Sequence, residues 1–120
     1  MLTGAATVFT VATLQASLAH YRDALGFEIT FQWGEPSFYA CLCRDDVQLH
    51  LIAATATQQH PGHGSLCIFV LDVDAIHAEL ATSGANVIKP PQTYDYGMRD
   101  FDIDDPDGNR ITFSTAAPPP

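Results

Sequence analysis

The stretch Asp105-Pro106-Asp107-Gly108-Asn109-Arg110-Ile111-Thr112-Phe113 decides how the rest of the chain is read. Asp105 and Pro106 have the chemistry of the first two positions of a type I turn. Gly108 supplies the left-handed residue that closes a three-residue hairpin loop. Such a loop sets Ile103 opposite Ile111, Phe101 opposite Phe113 and Asp102 opposite Thr112. One face of the ribbon is then apolar, and the other carries Asp100, Asp102, Asp104, Arg110, Thr112 and Ser114. A slip of one residue would mix the two faces, so the pattern itself selects the register. The expectation is a half-buried antiparallel hairpin with a carboxylate-rich side, its strands at residues 98–104 and 109–114.

Upstream of the hairpin, residues 66–71 read as a strand, and Asp72 caps a helix with Val73, Ile76 and Leu80 on one side and Gly84 at its end. Residues 86–89 read as a short strand that Pro90-Pro91 breaks. The first half has the same order. Residues 7–12 are β-branched and aromatic, and Thr13 is placed to cap a helix carrying Leu14, Leu18, Tyr21 and Leu25, with Gly26 ending it. Three extended pieces follow at 27–33, 38–44 and 47–53, separated by Gly34-Glu35-Pro36 and Asp45-Asp46. Strand, helix and three strands therefore occur twice, and such a repeat governs the choice of fold. The fold class expected is α+β: one domain of two βαβββ units, at about 5–54 and 65–115, with a polar linker at 55–64 and a tail at 116–120.

Fourteen acidic residues against five basic ones give the 120-residue chain a formal charge of −9. That balance disfavours nucleic acid and anionic membranes, whose phosphates need Lys and Arg, and favours cationic partners. Three cysteines are an odd count, with Cys41 and Cys43 too close along one strand to bridge, so reduced thiols in a cytoplasm are expected. No signal-peptide pattern or membrane-length apolar span is read. Glycine-rich phosphate loops and a nucleophile elbow are missing, which disfavours ATP-dependent chemistry.

A doubled βαβββ unit closing on Asp-Pro-Asp-Gly-Asn-Arg-Ile resembles the vicinal-oxygen-chelate superfamily: glyoxalases, extradiol dioxygenases, fosfomycin-resistance enzymes and bleomycin-resistance proteins. The most specific segments are Ser17-Leu18-Ala19-His20-Tyr21-Arg22-Asp23-Ala24-Leu25-Gly26-Phe27 and residues 104–113. The resemblance implies cup-shaped sheets with helices on the outer face, and a homodimer whose cups are formed from both chains. Metal-dependent members place ligands at positions matching Ala6, His50, Ser65 and Thr112 here. One imidazole and one hydroxyl fall short of the roughly three good ligands that even an open catalytic site needs, so neither a metal nor a cofactor is expected. The departure points to the bleomycin-resistance branch. Phe38-Tyr39-Ala40-Cys41-Leu42-Cys43-Arg44-Asp45-Asp46-Val47 and Tyr96-Gly97-Met98-Arg99-Asp100-Phe101 are similar to its segments. What that implies is sequestration of a cationic, planar-ringed small molecule with no catalytic residue. The alternative is an enzyme of the superfamily with a shifted metal site begun by His50, Asp102 and another carboxylate.

The ligand-binding residues expected are Trp33, Tyr39, His50, Tyr94, Tyr96, Asp100, Asp102 and Thr112. Each also has an ordinary structural reading. The aspartates form either a cation-holding stripe or a wet strand face, with Asp104 paired across the ladder to Arg110. Aromatic residues in strands are commonly core, so Phe38 is assigned inward and Tyr39 outward, on a face shared with Cys41 and His50. His50 is a base, a ligand or a polar wall residue. His60-Pro61-Gly62-His63 has metal-like spacing but no further ligand, and His20 and His77 need no functional explanation.

Overall fold

The computed structural model describes residues 1–118; Pro119 and Pro120, and with them most of the expected proline tail, lie outside the described residues. The elements are β1 (Thr7–Val11), α1 (Leu14–Asp23), β2 (Glu28–Gly34), β3 (Ser37–Arg44), β4 (Val47–Ala53), a 3-10 turn (Ala54–Ala56), β5 (Ser65–Phe69), α2 (Val73–Ser83), β6 (Asn86–Thr93), β7 (Met98–Asp104) and β8 (Arg110–Ala116). They form two four-stranded mixed sheets, ordered β1-β4-β3-β2 and β5-β8-β7-β6. The α+β class and the doubled βαβββ order are both present.

The hairpin pairs as its alternation requires: Phe101 with Phe113, Asp102 with Thr112 and Ile103 with Ile111. Gly108 adopts φ +94°, and its N–H donates to the Asp105 carbonyl at 3.0 Å. Apolar side chains at alternate positions turn toward the helices. Leu49, Leu51, Ile103 and Ile111 are fully buried, together with Phe9 of β1, Leu18 and Tyr21 of α1 and Leu80 of α2. Asp72 caps α2 through a bond from Ala75 N–H at 3.1 Å, and Gly84 closes it at φ +103°.

Three local expectations need correction. Thr13 occupies the cap position of α1, but its side chain makes no capping bond. That helix ends at Asp23 with Ala24 as its cap; Gly26 then turns the chain so that Phe27 N–H reaches the Tyr21 carbonyl. Pro90-Pro91 does not break β6, which runs from Asn86 to Thr93. The strand tolerates prolines because it lies at a sheet edge, and the register jumps between Lys89 and Gln92.

The two sheets share no ladder; the units are fastened elsewhere. Ser83 Oγ donates to the Ala24 carbonyl at 2.6 Å, joining the ends of the two helices. Arg44 bridges the Leu25 carbonyl and Glu79. The loop 105–109 docks on unit one. Tyr21 Oη donates to Asp105, Asn109 Nδ2 to the Thr10 carbonyl, and Ala12 N–H to Asp107. Helices therefore cover one face of each sheet, and the opposite faces remain open.

Candidate functional site

On the open face of the first sheet the register builds two rows. Val8, His50, Cys41 and Phe31 form one, and Thr10, Ile52, Tyr39 and Trp33 the other. Trp33 and Phe31 are stacked with centroids 6.3 Å apart and planes 18° apart. Both are more than half exposed, at 61% and 51%. A stacked aromatic pair left in water is a surface ready to receive another planar group. Tyr39 Oη and His50 Nδ1 are 2.8 Å apart, so two of the expected residues are each other's partners. Burial pushes the Tyr39 phenol up, and Cys41 adds to the effect.

Phe31 was not among the expected residues. Ile29, Phe31 and Trp33 have the same parity, and strict alternation would put all three on one side. A register break between Ile29 and Phe31 sends Ile29 to the core and leaves Phe31 on the open face.

The second sheet gathers Tyr94, Tyr96, Asp100, Asp102 and Thr112, with one residue that sequence reasoning missed. Lys89 Nζ lies 2.6 Å from Asp100 Oδ1 and 4.0 Å from Asp102 Oδ2, and 4.3 Å from the Tyr94 ring centroid. Tyr94 and Tyr96 stack at 5.2 Å and are nearly parallel, 3° apart. Tyr96 Oη donates to Asp100 Oδ2 at 2.6 Å, and Thr112 Oγ1 donates to Asp102 Oδ1 at 2.7 Å. Asp104 pairs with Arg110 at 2.8 Å, the structural role expected of it. The expected stripe of three like charges is thus divided. Asp104 is neutralised, Asp100 is buried and bonded, and two carboxylates face one ammonium. Lys89 ends the strand read at 86–89, and a register break between Val87 and Lys89 sets it opposite Asp102.

Burial alone would push the Asp100 carboxyl up, but the bonds from Lys89 and Tyr96 outweigh it and hold it below its ordinary range. The Tyr96 phenol, bonded to that carboxylate, is pushed up to about 12. Burial would lower the Lys89 ammonium, yet its contacts with Asp100 and Tyr94 raise it. A depressed Asp100 contributes stability above about pH 4 and loses it as pH falls through the folded value. A raised Lys89 contributes fully below about pH 10 and loses it as pH rises through its own folded value. Lys89→Met strands the Asp100 carboxylate, and is expected to cost about 1–3 kcal/mol near neutrality. Urea denaturation should show that deficit flat from about pH 6 to 9 and shrinking toward pH 4, where the stranded carboxylate protonates.

The eight expected residues thus form two groups, Trp33, Tyr39 and His50 on one sheet and the other five on its counterpart. Among the described residues no hydrogen bond or ring contact connects the groups.

Residues 5–113 match the model of the Glyoxalase/Bleomycin resistance protein/Dioxygenase superfamily, and the chain belongs to that superfamily. It is similar to the bleomycin-binding protein of bleomycin-producing Streptomyces verticillus, solved in complex with copper(II)-bleomycin. Identity is 29% and the TM-score 0.79, covering 99% of this chain and 98% of that one. A superfamily member from Sphaerobacter thermophilus DSM 20745 shares 23% identity at TM-score 0.80, over 95% and 97% of the two chains. TioX from Micromonospora sp. ML1 shares 16% identity at TM-score 0.81, over 95% and 98%. The last two likenesses concern the fold alone. No curated protein matches the chain.

The donor set does not fit the metal that some members of this superfamily use. Ala6 offers no ligand atom and Ser65 only an exposed hydroxyl. The Thr112 hydroxyl is given to Asp102, and His50 Nδ1 is engaged with Tyr39. Within one copy of the chain His50 and Asp102, the start of the alternative shifted site, lie on different sheets. Among the described residues of a single copy, no three of His, Cys, Asp and Glu come together as a metal site would need. Nor is any helix of the described residues long and apolar enough to cross a membrane.

Proposed function

We propose that this chain is a binding protein of the bleomycin-resistance type. It sequesters a cationic small molecule bearing planar rings, holding the ligand by stacking and charge without making or breaking a bond. The observation that carries this reading is the stacked, largely exposed Trp33–Phe31 pair on one open face, complemented by a tyrosine- and carboxylate-lined face on the other sheet. The 29% identity to a bleomycin-binding protein over nearly the full length supports it. In this reading Trp33, Tyr39, Tyr94 and Tyr96 stack on the ligand. Asp100 and Asp102 attract its cation, and His50 and Thr112 complete the walls.

The groove is assembled from two copies of the chain. In one copy the aromatic and acidic faces are on separate sheets, both uncovered. A homodimer that sets the first sheet of one protomer against the second sheet of its partner brings the two groups into one groove. A concave, mostly apolar site with a few convergent polar groups is the form that small-molecule recognition requires.

Trp33 is the single tryptophan of the chain, so its fluorescence reports on the proposed contact directly. Titration with bleomycin is expected to quench and shift Trp33 emission saturably, while sedimentation shows a dimer. An emission spectrum unchanged through millimolar ligand would refute stacking at this face. Trp33→Ala is expected to weaken binding about 10- to 30-fold, the effect of one aromatic stack.

A further inference from the structure

The acidic face of the second sheet already contains a cation. The Lys89 ammonium sits 2.6 Å from Asp100, 4.0 Å from Asp102 and 4.3 Å above the Tyr94 ring. Tyr94 is itself backed by the parallel Tyr96 ring, whose hydroxyl anchors the far oxygen of Asp100. A carboxylate at bonding distance, a second one nearby and an aromatic face are the surroundings that an alkylammonium ligand would need. The lysine that fills them comes from an edge strand, at the register break before Pro90-Pro91, and its side chain is 30% exposed. Its partial exposure at the sheet edge gives the ammonium a route to solvent.

We propose that Lys89 is a specificity-determining residue: its ammonium is a built-in occupant of a cation seat, and an alkylammonium group on a ligand binds by displacing it. The identity of the ligand rests on the sequestration reading above; the seat and its exchange do not. Displacement exchanges one ammonium for another, so no proton moves and the charge within the seat is unchanged. Asp100, buried within the face, is never left without a cation. A tethered group competes at an effective concentration on the order of millimolar, so a simple amine at lower concentration is refused. A ligand that also stacks on the aromatic residues has the additional affinity needed to displace the lysine. The seat therefore selects against bare amines and for amines attached to planar rings.

The test is chemical rescue. Lys89→Ala lacks a propylammonium group, and n-propylammonium chloride is compared with sodium chloride at equal ionic strength. The melting temperature of Lys89→Ala is expected to rise by several degrees in propylammonium, beyond the sodium control. Wild type and Lys89→Ala/Asp100→Asn should show no such rise. If Lys89→Ala does not fold in sodium chloride, its refolding yield in propylammonium is the same readout. Lys89→Met, which keeps the apolar stem, is expected to bind bleomycin about 3- to 10-fold more tightly than wild type, because the tethered competitor is gone. No rescue overturns the seat. Rescue with weaker or unchanged bleomycin affinity in Lys89→Met overturns displacement. Rescue with no bleomycin binding by either form overturns the sequestration reading and leaves the alkylammonium seat supported.

Discussion

Replacing Asp105 by alanine is expected to destabilise the protein by about 3–4 kcal/mol, more than any substitution in the candidate site. Its carboxylate is buried at 4% exposure, and both oxygens are fully used. Oδ1 accepts the N–H groups of Asp107 and Asn109, each at 2.9 Å. Oδ2 accepts Tyr21 Oη and Asn109 Nδ2, also at 2.9 Å. Alanine leaves the Tyr21 hydroxyl and the Asn109 amide without this acceptor inside the protein. It also releases the turn that holds loop 105–109 on unit one. At roughly 3–5 °C per kcal/mol for a chain of this size, the melting temperature should fall by at least about 9 °C. Asp105→Asn is expected to lie between. Its oxygen can still accept the two backbone N–H groups, but its amide meets the Asn109 amide donor to donor. A calorimetric melt of the three proteins checks the order, and equal melting temperatures for wild type and Asp105→Ala would contradict this role for the loop.

Gly62→Ala should be the other severe change, at about 2–4 kcal/mol. Gly62 has φ +85°, and a β-carbon there would lie 2.1 Å from the Asp107 carbonyl oxygen. The left-handed backbone alone costs an alanine about 1–2 kcal/mol. The carbonyl it strikes belongs to the docked loop, which cannot retreat without stretching the bonds just described. Gly84 provides the control. Its φ of +103° is similarly unfavourable, but a β-carbon there has nothing within 4 Å. Gly84→Ala should therefore show the backbone cost only. A urea series that ranks Gly62→Ala clearly below Gly84→Ala supports loop docking, and equal costs would argue that the loop is free to move.

Local chemistry made much of this fold legible. In the 105–113 segment, turn residues and a period of two agree with each other, and every pairing read from them is present. The Asp72 cap and Gly84 stop have the same character, each set by residues within four positions. What escaped depends on distant partners. Asp105 reads as a turn residue, yet half of its acceptor capacity serves Tyr21 and the Asn109 side chain, and Tyr21 is 84 positions away. Phe31 has the parity of Trp33 and was legible by alternation; the bulge displaces Ile29, not Phe31. Lys89 was hidden by a register break after Val87, without which it would stand opposite Phe101 on the apolar face. Tyr39, Cys41 and His50 fall on one side of a sheet as read, because a two-residue turn at Asp45-Asp46 fixes the register of β3 and β4. That they belong to a different unit from Asp100 and Asp102 was legible too; how the two units are fastened was not, because Ser83, Arg44 and loop 105–109 reach partners far away in sequence.

Metal-independent capture of a cationic ligand is open to calorimetric titration of the purified protein with metal-free bleomycin. Elemental analysis of the same batch belongs with it. Saturable binding at one ligand per groove is expected in a metal-free preparation, weaker at about 0.5 M salt than at about 0.05 M because charge attraction is screened. A protein that carries a stoichiometric transition metal and gives no heat with bleomycin would contradict it.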